Sequence, residues 1–206
     1  GMFRDHFIKK ELSDFRANKQ LVKFSVFMFF FYFVSSIVSL AVPLFLRYIG
    51  TDLFRIGLIS SLFSFPWLFE SYFSITKKKK RVVLYGLSCA TLFLVSMFFA
   101  DDLKVIAVIL FLLGLSLAAV LPIIQGRITE LMPKKEIGEL VGVNNSIWNI
   151  ATGFGPLIGG VLADLYGLKY LFLLSSFILF ILLIVAYKSK SFVFEEKEII
   201  DGISKL

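Results

Sequence analysis

Asn145, Trp148, Asn149 and Thr152 stand at i, i+3, i+4 and i+7 in an otherwise apolar stretch. On a helix that spacing puts two amides, an indole and a hydroxyl on one face. Such a set can hydrogen-bond an uncharged or amphipathic solute without the desolvation cost of a buried charge. The same groups can instead tie helices together, where a contact of this kind is worth about 0.6–2 kcal/mol in a membrane. Both roles are open to this face. Ser60, Ser64, Trp67 and Ser71 make a similar stripe, with Pro66 able to kink it and Glu70 beside it. Glu70 is the only charged residue well inside any long apolar run, which makes it a candidate to carry a coupling proton. It also lies close enough to the basic residues from Lys77 onward to snorkel toward them or pair with them.

A third pattern concerns space rather than polarity. Ala151, Gly155 and Gly159 recur at four-residue steps, with Pro156 and Gly160 beside them. Small residues in register allow another helix to approach closely, and Pro156 loosens the local backbone hydrogen bonding. A hinge or gliding contact and a static close crossing are both compatible with the pattern. Acid-base or nucleophilic catalysis has little to work with. There is one cysteine, Cys89, and one histidine, His6, and no intramembrane pair of His, Asp, Glu or Cys. A glycine-rich phosphate loop is also missing, so neither a metal nor a cofactor is expected.

The elements that must carry these groups follow from hydropathy. The chain is 58% hydrophobic and 18% charged, with a mean hydropathy of +0.85, where a soluble domain would be about a quarter charged. A helix needs about 20 apolar residues to cross the hydrocarbon core. Six runs of that size occur, at residues 24–46, 56–76, 82–100, 105–126, 140–163 and 170–187. Strands of a membrane barrel would be about half as long and polar on one face. The expected fold is therefore all-α, an integral membrane bundle of six helices. It is preceded by a polar segment, 1–23, with no signal-peptide pattern, and followed by a tail, 188–206.

Lysine and arginine are retained on the cytoplasmic side of membranes, so they report orientation. Of the 22 basic residues, 18 fall in the alternate segments that include both termini and only 4 in the remaining three connections. Both termini are thus expected in the cytoplasm. The run Lys77-Lys78-Lys79-Lys80-Arg81 sits on that same side, where it acts as a topology anchor. No nucleic-acid partner is needed to explain the +7 net charge. The run Phe29-Phe30-Phe31-Tyr32-Phe33 goes all round its helix and suits lipid contact. Ser35, Ser36, Ser39 and Pro43 form a weaker polar stripe, and Asp101-Asp102 suits an external turn and helix cap.

Gly142, eight residues, Ala151, three residues, then Gly155-Pro156-Leu157-Ile158-Gly159-Gly160 resembles the glycine-proline pattern of the major facilitator superfamily, with Ala151 replacing one glycine. The continuation Val161-Leu162-Ala163-Asp164-Leu165-Tyr166-Gly167 is also similar to that family, as is the basic loop running into Val82-Val83-Leu84-Tyr85-Gly86-Leu87. In the loop, the family's glycine, aspartate and second glycine are replaced by Ser71, Ile75 and Lys78, and the fourth span lacks the arginine common in N-terminal halves. Residues 49–57 resemble the connection between the family's seventh and eighth spans, so the likeness is to a C-terminal half.

What the resemblance implies is secondary transport of a small solute by a cell-membrane protein in which two six-helix halves rock against each other. This chain would be one half. The other would be a missing N-terminal half or a second copy, and residues 3–23 would end a central cytoplasmic linker. Asn145, Trp148, Asn149, Thr152, Trp67 and Ser64 would contact the solute and Glu70 would couple protons. Gly142, Gly155, Pro156, Gly159 and Gly160 would serve packing or gating. The alternative from another class is a non-transporting assembly partner or an inactive remnant. A channel is disfavoured because no span carries a filter motif.

Overall fold

The computed structural model describes residues 19–76, 78–130 and 137–189. Most of the polar segment 1–23, nearly all of the tail 188–206, and the centre of the fourth connection lie outside the described residues. So does Lys77.

Six helices are long and apolar enough to cross a membrane, and among the described residues there is no strand. The first runs Lys19–Tyr48, the third Lys79–Phe99, the fourth Leu103–Glu130, the fifth Ile137–Tyr166 and the sixth Leu168–Lys188. The second span is composite. An α-helix over Leu53–Ser64 passes into a 3-10 segment, Phe65–Phe69, and then a last helical turn, Glu70–Ser74. Its break follows from Pro66, which has no N–H to offer the carbonyl four residues back and opens the tighter 3-10 turn. Helices overshoot the apolar runs by a few residues because α-helical hydrogen bonding continues through the polar boundary until a turn or cap ends it.

Those endings are short and well satisfied. After the first span, Gly50 takes φ +82°, its N–H donating to Arg47 O and that of Thr51 to Leu46 O, the double bond pattern of a glycine C-terminal cap. Asp52 then caps the second span, its side chain accepting from Arg55 N at 3.0 Å. Asp102 accepts from Lys104 N and Val105 N at the head of the fourth span. Gly167, at φ +97°, alone separates the fifth span from the sixth.

Ion pairs sort the helix ends into two layers. Glu130 binds Lys79 at 3.1 Å and Arg127 at 3.0 Å at one end of the bundle, and Lys169 binds Asp101 at 2.7 Å at the other. That sorting is what six helices threaded alternately up and down require.

The first and fourth spans form the centre, each with 61% of its membrane window buried inside the bundle. Phe24, Phe27, Phe31 and Phe45 of the first span are fully buried, Phe45 meeting Phe172 of the sixth edge to face at 5.6 Å. This corrects the expectation that the Phe29–Phe33 run faces lipid. Because the first span is central, Phe31 and Tyr32 are buried, Phe29 and Phe33 pack partly on the core, and Phe30 is the exposed member. Glycine sets the closest approaches. A Cβ on Gly114 would meet the backbone carbonyl of Phe63, so the second and fourth spans touch main chain to main chain. One on Gly86 would lie 2.6 Å from Val120 and 2.9 Å from Ser116 O, joining the third span to the fourth.

Candidate functional site

The fifth span presents two adjoining faces. Ala151, Gly155 and Gly159 are buried against the first span. A Cβ on Gly155 would collide with Ser36 Oγ, and one on Gly159 would sit 3.6 Å from Ile37 and Leu40. The single Ser36 Oγ proton is shared between Phe33 O of its own helix, at 2.8 Å, and Ala151 O across this crossing, at 3.2 Å. Gly142 and Gly160 have open space where a side chain would project, and Pro156 is half-buried. The close-packed line is therefore made by Ala151, Gly155 and Gly159, with Gly142 and Gly160 off it.

The polar residues lie around the helix from this line. Asn145, Trp148 and Asn149 are exposed and Thr152 is half-buried. Thr152 Oγ1 donates to Trp148 O at 2.7 Å, so its proton is committed to its own helix. Among the described residues, neither the Asn145 nor the Asn149 amide bonds a neighbouring helix.

In the second span, Ser64 is exposed, while Trp67 and Glu70 are half-buried and Trp67 packs on the core. Three residues per turn in the 3-10 segment keep Ser64 and Trp67 nearly in line, and the stripe continues to the exposed Ser71. This span lies mainly on the fourth, whereas the fifth lies on the first and sixth. The two polar stripes thus belong to helices that are not packed on each other to any extent.

Between them, a polar pair that the sequence did not single out joins the fourth span to the first. Gln125 Nε2 of the fourth span donates to the hydroxyl of Tyr32 in the first, at 2.9 Å. The first and fourth spans therefore meet through Tyr32, itself buried. In the fifth span, the Asn144 Oδ1 atom is buried without a hydrogen-bond partner. Asn144, four residues before Trp148 and seven before Ala151, belongs to the packing face, one position from the polar stripe. Its only signal in the sequence was an amide on an otherwise small and apolar face.

The exposure of the second and fifth spans runs against their composition. Each has only 17% of its membrane window buried, yet these two have the lowest mean hydropathy of the six, 1.2 and 1.3, against 2.1 to 2.8 for the others. A helix facing lipid all round should be the most apolar, not the least. Their uncovered faces include Asn145, Asn149, Ser64 and Ser71.

A sequence model of the Major Facilitator Superfamily matches residues 24–197. An uncharacterised MFS-type transporter of Methanocaldococcus jannaschii is 39% identical over 90 residues, covering 43% of this chain and 23% of that protein. Another MFS-type transporter, YuxJ of Bacillus subtilis, is 29% identical over 101 residues, covering 49% of this chain and 26% of its own length. The multidrug resistance protein MdtG of Proteus mirabilis is 31% identical over 132 residues, covering 64% of this chain and 32% of itself. The matches thus span between a quarter and a third of these curated relatives, or slightly less.

Proposed function

Since the chain belongs to the major facilitator superfamily, a family of multi-pass membrane transporters rather than enzymes, we propose that it is one six-helix half of a secondary transporter. The half works by alternating access in a cell membrane, with its basic end and both termini in the cytoplasm. The observation that carries this reading is the pairing of least burial with least hydropathy in the second and fifth spans. Such faces need a cover that is neither lipid nor this bundle, and a second six-helix half enclosing a wet route supplies one. The partner half is either a further part of a longer chain or a second copy.

In this reading Asn145, Trp148, Asn149 and Thr152 line the route, with Trp67 and Ser64 opposite, and bind a neutral or amphipathic small solute. Amides not bonded to neighbouring helices support that role, because they keep donors and acceptors for a ligand. The name of the Proteus mirabilis relative fits amphipathic cargo. Glu70 carries the coupling proton, as the one carboxylate set well inside a span and half-buried there. The glycine line on Gly155 and Gly159 gives the fifth span a surface on which to shift against the first, with open space where a side chain on Gly142 or Gly160 would project.

Water accessibility tests this without knowing the solute. With Cys89→Ser as background, Asn149→Cys and Ser64→Cys in the assembled protein should react with a membrane-impermeant maleimide, and Phe180→Cys on the sixth span should not. Asn149→Leu should impair transport with folding intact, and Glu70→Gln should abolish proton-driven movement while sparing exchange. If the Asn149 and Ser64 positions are as unreactive as Phe180, these faces meet lipid or dry protein and the route lies elsewhere.

A further inference from the structure

Between the third and sixth spans, at the basic end, the bundle has a cavity of about 420 Å³ lined by Leu84, Ser88, Leu183, Ile184, Tyr187 and Lys188. We infer that this groove is a specific site for one anionic phospholipid, its acyl chain between Leu84, Leu183 and Ile184 and its phosphate at the basic mouth. The inference is independent of the transport reading, since the third and sixth spans carry none of the residues assigned to the solute or the proton.

Charge and position at the mouth argue for this occupant. Leu84 and Ser88 share a helix face with Lys80, four residues before Leu84, and with Arg81, three before it. Lys80 and Arg81 belong to the first turn of the third span, and Lys188 closes the sixth. Lys188 lines the groove itself, and Lys80 and Arg81 stand one turn before Leu84 at the same end of the third span. Glu130, the acidic group at this end among the described ion pairs, is bound to Lys79 and Arg127. The third span also begins here with no side-chain cap from Lys78, so the partial positive charge of its N-terminus adds to that of the cations. Basic pockets between membrane helices are the settings in which acidic headgroups bind, while an aromatic such as Tyr187 marks the headgroup level. A zwitterionic lipid would fill the apolar part equally well but would leave the cations unmatched.

Native mass spectrometry of the full chain in mild detergent, with phosphatidylglycerol or phosphatidylcholine added at equal concentration, reads the result directly. One phosphatidylglycerol should be retained at least tenfold more strongly than phosphatidylcholine. Each basic residue near an acidic headgroup is worth about fivefold, so Lys80→Gln with Lys188→Gln should weaken phosphatidylglycerol about 25-fold and leave phosphatidylcholine unchanged. Ser88→Phe and, independently, Ile184→Trp should fill the groove and weaken both lipids. Lys104→Gln, an exposed cation at the opposite end, should change nothing. Equal retention of the two lipids would overturn the inference, as would an effect of Lys104→Gln matching that of the double variant, which would mean diffuse surface charge. Phosphatidylglycerol binding that emerges only after deletion of residues 191–206 would assign the groove to the tail instead.

Discussion

Gly155→Ala is the perturbation that most directly probes how the fifth span sits on the first. The added methyl would occupy the place of Ser36 Oγ, with Ser36 Cβ and Phe33 O next at 3.1 Å. Ser36 must rotate away and give up its bond to Ala151 O, an interhelical hydrogen bond worth about 0.6–1.7 kcal/mol in a membrane. Overpacking of the remaining contacts adds about 1–3 kcal/mol. The expected destabilisation is therefore about 2–4 kcal/mol, measured by reversible unfolding in mixed micelles. Gly160→Ala, with nothing within 4 Å of the added atom, should stay within about 0.5 kcal/mol of the parent. Ser36→Ala removes the colliding atom and the bond at stake but leaves Cβ and Phe33 O, so in that background Gly155→Ala should cost only the overpacking, about 1–3 kcal/mol, a coupling of about 0.6–1.7 kcal/mol in a double-mutant cycle. The reasoning is refuted if Gly155→Ala costs no more than Gly160→Ala, or if Ser36→Ala gives no relief.

Gly114→Ala should be at least as costly, about 2–5 kcal/mol, because the atom it meets is the Phe63 backbone carbonyl. Main chain cannot rotate aside, so no single side-chain substitution should rescue it, and Gly57→Ala, facing open space, is the control in the same unfolding assay. In the Cys89→Ser background, Lys78→Cys should label only from the cytoplasmic side and Asp102→Cys only from outside; labelling of both from one side would contradict the alternating thread. Asp101→Asn breaks the pair with Lys169 but should shift stability by less than about 1 kcal/mol, since Asp101 is 80% exposed and solvent screens the pair.

The spans were legible because crossing a bilayer demands long apolar runs, and little else in this sequence competes with that signal. Pro66 marked where the second span departs from α-geometry, though whether it would give a bend or a 3-10 stretch depended on packing against the fourth span. Four-residue steps of small residues located the tight face of the fifth span without naming its neighbour. Periodicity assigns residues to a face of a helix but does not say which faces meet. For that reason Tyr32 and Gln125, 93 positions apart, looked like unrelated polar residues in apolar helices. The same limit produced the wrong environment for the Phe29–Phe33 run. An aromatic belt round a helix reads as lipid-facing unless one knows that the helix is surrounded by its own chain.

The connections on the side opposite the basic end are residues 49–52, residues 100–102 and Gly167 alone. Each is tied down by a backbone hydrogen bond or an aspartate cap. A protease applied from that side would find almost no slack strand to thread into its cleft, and an antibody almost no protruding loop to grip. In the proposed orientation, shaving intact cells should accordingly leave these three connections uncut. Reagents meant to recognise the folded bundle from outside would have to read the tips of the helices themselves.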